Sequence, residues 1–350
     1  MSFLRLAAAS LLGLVLAAPS AGRDHAAALP ERLRDTGLFV AGSTTAVRPE
    51  NLPYSPQYPL WSDGATKCRW LYLPPGAAID ASQPDAWEFP PGTRLWKEFG
   101  HKRPVETRYI ERRADGSWRF ATYLWNAAGT DAVLAPPGGV VLTLEDAPGG
   151  RYVIPSQADC LACHEGAAVP VLGVSALQLS PDRDPLVPHA EPVRAEDVDL
   201  RGLVARALVR NLPPAMLERP PRIAAASPTA RAALGYLHAN CGHCHNDAGP
   251  LAPLELALAQ GAVDGADGPA KALRSLIGQS SRYRPQGADA GAQRVVAGRH
   301  DASVLAVRMR SRNPLVQMPP LGTQIVDGEG VALIERWIRQ YLQTRKELAE

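Results

Sequence analysis

Apolar and polar side chains alternate along Val105-Glu-Thr-Arg-Tyr-Ile110 and again along Trp118-Arg-Phe-Ala-Thr-Tyr-Leu-Trp125. Alternation of this kind gives an extended strand one set of side chains per face, and Asp115-Gly116 between the two runs is a strong hairpin turn signal. Shorter apolar runs at Arg69–Leu73, Arg94–Phe99, Val140–Leu144 and Arg151–Ile154 are punctuated by Pro-Pro-Gly and Pro-Gly-Gly. This predicts an antiparallel sheet between about Asn51 and Ile154, in a β-rich domain over residues 39–178. Residues 179–226 are rich in proline and charge, with one helix expected near Asp199–Arg210, and read as a linker or wrapping segment. Ser227-Pro228 then supplies an N-cap and a proline at the first helical position, so Thr229–Ala239 is expected to be helical. Val331, Ile334, Trp337, Ile338 and Tyr341 recur at helical spacing and predict a closing helix over Gly330–Leu342. The expected fold class is α+β: an N-terminal antiparallel β-sheet domain followed by an all-α domain over 227–345.

Composition narrows the function classes only a little. The 350 residues carry 37 basic and 35 acidic side chains, a balance without the clustered basic excess of a nucleic-acid binder. Apolar content of 46% suits a packed core, and 30 glycines with 33 prolines predict many turns and long connections. The N-terminus is more telling. Met1–Arg5 is positively charged, Leu6–Ala18 is an apolar and small-residue run, and Ala18-Pro19-Ser20-Ala21 offers small side chains to a peptidase. Residues 1–21 therefore read as a secretory signal, which predicts a periplasmic protein with no integral membrane segment after cleavage.

Four of the five cysteines fall in two copies of one pattern, Cys160-Leu-Ala-Cys163-His164 and Cys241-Gly-His-Cys244-His245. Two thiols at this spacing can add to the two vinyl groups of haem, and the following histidine becomes the proximal iron ligand. Structural zinc held by four converging sulfurs and a redox dithiol are the competing chemistries. The repeated histidine, the export signal and the absence of a thioredoxin-like βαβ pattern favour two covalent haem c groups, with His164 and His245 as metal ligands. His243 reads as a spacer inside the second motif and His238 as a residue on a helix surface. Methionine thioether is the soft sixth ligand of electron-transferring haems. Met318 lies in Val316-Gln-Met-Pro-Pro-Leu-Gly322, where prolines would hold a loop rigidly, and is the candidate axial ligand of the second site. Met309 sits in a helical stretch, Val304–Met309, where a core role fits better, and Met216 is undecided.

On these residues, 228–342 resembles a class I cytochrome c domain: a helix entering Cys241-Gly-His-Cys244-His245, a long segment, the Met318-Pro-Pro-Leu-Gly322 loop and a final helix through Trp337. Most of the mature chain also resembles a family of exported di-haem c-type cytochromes without an assigned reaction. The supporting segments are Pro59-Leu-Trp-Ser-Asp63, Phe89-Pro-Pro-Gly-Thr93, Val105-Glu-Thr-Arg108, Tyr123-Leu-Trp-Asn126, Asn240-Cys-Gly-His-Cys-His245 and Met318-Pro-Pro-Leu-Gly322. The resemblance implies two haems, electron transfer and a periplasmic redox partner protein.

The first motif closes a sheet domain instead of a helical one. Phe89-Pro-Pro-Gly-Thr-Arg-Leu-Trp-Lys97-Glu98 is faintly similar to β-sheet mono-haem cytochromes of the cytochrome c-prime β type, which implies an open distal position with Lys97 or Trp96 near it. Read without that similarity, Lys97 is a solvated strand lysine. His101, His189 and Met216 are the other distal candidates. Cys68 reads as a half-buried strand residue, and the carboxylates, Asp159 and Glu165 included, show no acid–base pairing. Electron carriage is thus the leading expectation over substrate conversion. The alternatives are a haem oxidoreductase for a small molecule, peroxidase-like or handling nitrogen oxides, and a zinc-stabilised binding module.

Overall fold

The computed structural model describes residues 28–263, 267–285 and 291–347. The expected signal segment lies outside the described residues. Among these, the strands are β1 (Leu52–Pro53), β2 (Thr66–Tyr72), β3 (Ile79–Asp80), β4 (Arg94–His101), β5 (Arg103–Arg112), β6 (Trp118–Trp125), β7 (Ala132–Leu134), β8 (Val140–Thr143), β9 (Arg151–Ile154) and β10 (Val209–Arg210). Six of them form the main sheet in the order β1-β2-β4-β5-β6-β7, with every pairing antiparallel. β8 and β9 make a separate hairpin, and β3 pairs with β10 in parallel. The turn between β5 and β6 closes with the Arg113 amide donating to Ser117 O at 2.8 Å, and Gly116 takes φ 82° there, as its place in the turn requires.

Register gives the two sheet faces different jobs. Arg69, Lys97, Arg108 and Thr122 lie side by side on one face, and Leu71, Leu95, Ile110 and Phe120 form the next row on that same face. The opposite face buries Trp70, Trp96, Tyr109 and Tyr123 against Leu33, Leu38 and Phe39. Trp96 belongs to this second face, where its indole N–H donates to Thr36 Oγ1 at 2.9 Å.

The helices are α1 (Gln157–His164), α2 (Leu200–Ala205), α3 (Ala215–Glu218), α4 (Pro228–Asn240), α5 (Asp267–Leu276), α6 (Val304–Met309) and α7 (Gly328–Glu347). The N-cap of α4 is Ser227, which accepts from the Ala230 amide, with proline at the first helical position. Val331, Ile334, Trp337 and Ile338 of α7 pack with Ala233, Tyr236 and Leu237 of α4 and with Met309 of α6. Met309 is therefore a core residue, as its helical setting predicts. α2 is shorter than the expected Asp199–Arg210: Asp199 caps it, but Ala207 takes φ 55° and the chain turns into β10. The molecule is thus α+β with an antiparallel sheet, and its helices are joined by long irregular connections. No described helix is long and apolar enough to cross a membrane.

Residues 179–226 run along both halves. Glu191 pairs with Arg69 of the sheet, Asp182 with Arg231 of α4, and His189 Nε2 lies 2.8 Å from Asp327 Oδ1. Leu177, Val187 and Ile223 share a small core with Tyr58, Leu234 and Ala272.

Candidate functional site

The first motif occupies α1, which begins directly after β9. A capping box starts this helix: Ser156 Oγ accepts from the Asp159 amide at 3.1 Å, and Asp159 Oδ2 accepts from the Ser156 amide at 2.9 Å. Cys160, Cys163 and His164 thereby face a cavity of about 770 Å³ whose far wall is the cationic row of the sheet. His164 stacks against Phe120 of β6 at 5.0 Å between centroids, and its Nδ1 lies 2.5 Å from Pro170 O. A carbonyl at that distance fixes Nδ1 as the donor and leaves Nε2 as the free ligand atom.

Lys97 lines this cavity with Arg108 and Arg69, which overturns its reading as a solvated strand lysine. Arg69 is matched by Glu191, and Arg108 is matched by Glu106, donating through Nη2 at 2.7 Å and Nε at 3.2 Å. Lys97 Nζ lies over the Phe99 ring, 4.7 Å from the centroid, and forms no ion pair among the described residues. Burial first, then repulsion from Arg69, Lys67 and Arg108, pushes its amine well below the ordinary lysine range. Trp96 points to the other sheet face, and His101, His189 and Met216 do not line the cavity: His101 lies edge-on to Tyr152, His189 stacks on Trp61, and Met216 packs against the sheet core.

The second motif forms the turn leaving α4. Cys241, Cys244 and His245 line a second cavity of about 290 Å³, and Met318 lines the same cavity from its loop. Arg308 of α6 holds that loop: its Nε donates to Val316 O at 2.8 Å, and its own carbonyl accepts the Met318 amide at 3.1 Å. Most of the wall is apolar, and the exposed Leu251 and Leu321 stand at its edge.

Both histidines are held neutral, at a pKa of about 4, chiefly by burial. His245 Nδ1 is buried with no hydrogen-bond partner. Burial pushes the Cys241 thiol up to about 12 and raises that of Cys160. Neutral imidazoles and thiols lining a mostly apolar cavity and a larger one with a cationic wall suit a large iron cofactor with an apolar ring and acidic substituents, and the donor set of each motif fits covalent haem.

The motifs also meet. The sulfurs of Cys163 and Cys244 lie within 4.8 Å of each other, and this proximity pushes the Cys163 thiol up to about 12 and the Cys244 thiol down. The ligand atoms of Cys163, His243 and Cys244 all lie within 4.8 Å of one another. Cys160 lies instead by Arg108 and Glu106, and Cys241 packs against the helical core, so the four thiols do not converge on one centre. His243, read as a spacer, stands between the two cavities and lines both. His238 is not a surface residue either: its Nδ1 accepts the Gln260 amide at 3.0 Å, and burial lowers its pKa to about 4. No local pattern announces either histidine, because each acquires its surroundings from segments far away in sequence. Cys68 is half-buried in β2, as expected, with Arg194 Nη2 3.1 Å from its sulfur. No family model, curated protein or solved structure matches the chain.

Proposed function

We propose that this chain is an exported di-haem c-type cytochrome that carries electrons in the periplasm, receiving them from and passing them to a redox partner protein. The observation that carries the proposal is the placement of the two histidines: His164 lines one cavity with Cys160, and His245 lines another with Cys241, Cys244 and Met318. Cys160 and Cys163 would anchor one haem and Cys241 and Cys244 the other, with His164 and His245 as proximal ligands. The haems, when attached, supply two one-electron iron centres in apolar surroundings. The protein's part is orientation and exclusion of water. Pro170 O sets the tautomer of His164, and Arg308 holds the Met318 loop at the second cavity. In this reading residues 227–345 form an all-α domain of class I cytochrome c type.

A second reading is favoured at the first site by one observation. Among the described residues, Lys97 is the cation of the sheet row that has no ion pair, and no histidine or methionine from the expected distal candidates reaches that cavity. An open first site would allow a small molecule to bind there, making the chain a haem oxidoreductase whose second site relays electrons. The zinc-module reading finds less support, because Cys160 and Cys241 stand apart from the Cys163–Cys244 contact.

A haem stain after denaturing electrophoresis, with intact mass, tests the proposal: two covalent haems are expected, and their absence from exported protein would refute it. Optical and paramagnetic resonance spectra of the ferric protein then separate the two readings. One ligand-accessible high-spin haem beside a low-spin one supports the open site, and two low-spin haems unresponsive to added cyanide exclude it.

A further inference from the structure

We infer that Asn246, Gly166 and Gly249 are positioning residues of a clasp that holds the two haem-attachment motifs against one another, so that the attached haems form one electronically coupled pair. The inference rests on the di-haem reading, but its geometry belongs to the chain itself. Asn246 follows the second motif directly, and its Nδ2 donates to Gly166 O at 2.8 Å, two residues beyond the first motif. The same Nδ2 lies 3.0 Å from Gly242 O and 3.1 Å from His243 O. One amide thus binds the backbones of both motifs.

Both glycines are required by the closeness of the approach. A Cβ on Gly166 would meet His243 O at 2.9 Å, and one on Gly249 would collide with Gly166 O. The sulfurs of Cys163 and Cys244 lie within 4.8 Å of each other, and Cys163 and His243 line both cavities. A sheet-borne motif and a helix-borne motif 81 residues apart in the chain, counting from Cys160 to Cys241, have no local reason to meet. The contact is built by Asn246 and the two glycines. Its consequence is that an electron supplied by ascorbate to either site is shared with the other; no ligand bond breaks and no proton moves.

Asn246→Asp isolates the clasp. Aspartate keeps an acceptor for the Ala248 and Gly249 amides, which Asn246 Oδ1 accepts at 2.9 and 2.8 Å, but faces Gly166 O with no donor. In the native holoprotein, the first electron should change the affinity for the second by about tenfold or more, a coupling that is reciprocal between the sites. The ferric spectrum should also show spin–spin broadening. In Asn246→Asp carrying both haems, the ratio should fall toward one and the broadening should shrink. Gly249→Ala should act in the same direction. Independent titration and unbroadened spectra in the native holoprotein would overturn the inference while leaving the di-haem reading intact. Unchanged coupling in both variants would overturn the positioning roles.

The clasp is testable without haem. In the haem-free full chain carrying Cys68→Ala, Cys160→Ala and Cys241→Ala, diamide should join Cys163 to Cys244. The two thiols give up two electrons and two protons, which reduce diamide to its hydrazine. A linked peptide pair formed in buffer and at least about tenfold more slowly in urea, where the clasp is lost with the fold, is the expected result. Two free thiols in the folded chain after diamide would overturn the clasp whatever the fate of the haem assignment.

Discussion

Two methionines line the second cavity, and their settings separate their roles. Met309 is buried in α6 among Val331, Ile334 and Trp337, whereas Met318 is presented by a loop pinned to Arg308. Leucine is close to methionine in volume, so either replacement should cost less than about 1.5 kcal/mol of stability. In the di-haem reading, Met318→Leu is nevertheless expected to lower the reduction potential of the second haem and open its iron to added ligands, because leucine offers no thioether. Met309→Leu should leave both the potential and the optical spectrum in place. Equal spectra for the two variants would remove Met318 as the axial ligand. A second residue, Glu98, is half-buried on the sheet face opposite the first cavity, and desolvation there raises its carboxyl from 4.5 to about 7 against the weaker pull of Arg194. A raised carboxylate pKa means that the folded state holds the proton more tightly than the unfolded state. Its contribution is therefore intact below pH 4.5 and is lost as pH climbs to about 7. Glu98→Gln should flatten that part of the profile and raise stability at pH 8 by roughly 1–3 kcal/mol, read as a shift in urea midpoint with unchanged slope.

At the scale of elements, the helix carrying the first motif is short and depends on its cap. α1 spans Gln157–His164 and buries no residue fully, so the reciprocal Ser156–Asp159 bonds carry much of its definition. Ser156→Ala should cost about 1 kcal/mol and, if both motifs bind haem as proposed, lower haem occupancy at Cys160 and Cys163 relative to Cys241 and Cys244, measured by peptide mass after proteolysis. Equal loading of both motifs would show that the cap does not matter to attachment. Ser156-x-x-Asp159 before the motif is a helix-start signal that the sequence itself carries. Elsewhere local chemistry was legible. Ser227-Pro228 marks the start of α4, Asp115-Gly116 marks the β5–β6 turn, and the spacing of Val331, Ile334 and Trp337 marks α7. What could not be read from local pattern is how sheet register groups charges. Lys97 looks solvated beside Glu98, yet pairing sets it between Arg69 and Arg108 on the cavity face, and that neighbourhood is fixed by strands β2 and β5.

Over the whole molecule, the seam between sheet and helices turns two expected parts into one body, and no periodicity foreshadows it. The Trp61 amide donates to Asn240 Oδ1 at 2.7 Å, the Gln324 and Ile325 amides donate to Asp63, and Tyr236 joins His189 through Asp327. A Cβ on Gly235 of α4 would enter the Tyr58 ring, so the helix packs directly on the connection between β1 and β2. Arg231 is the charged centre of this seam. Its side chain is 8% exposed, its Nη2 donates to Asp182 O at 2.6 Å, and its Nε lies 3.6 Å from Asp184, whose carboxylate is 1% exposed. Removing one partner of such a pair leaves a buried carboxylate uncompensated, which costs about 3–5 kcal/mol. Arg231→Met should therefore destabilise the chain by about that much, with the shape of the methylene stem retained. The informative measurement is which half reports the loss. Tryptophan fluorescence follows chiefly the sheet half, which holds Trp70, Trp96 and every other tryptophan except Trp337 of α7, and in the di-haem reading haem absorbance follows the two cavities. If the seam makes one cooperative unit, both probes should give coincident transitions in the native chain and should move together in Arg231→Met. A fall confined to the haem signal, with the tryptophan transition unmoved, would mean that the sheet folds without its helical partner. The attachment motifs would then be brought together only after each half had formed.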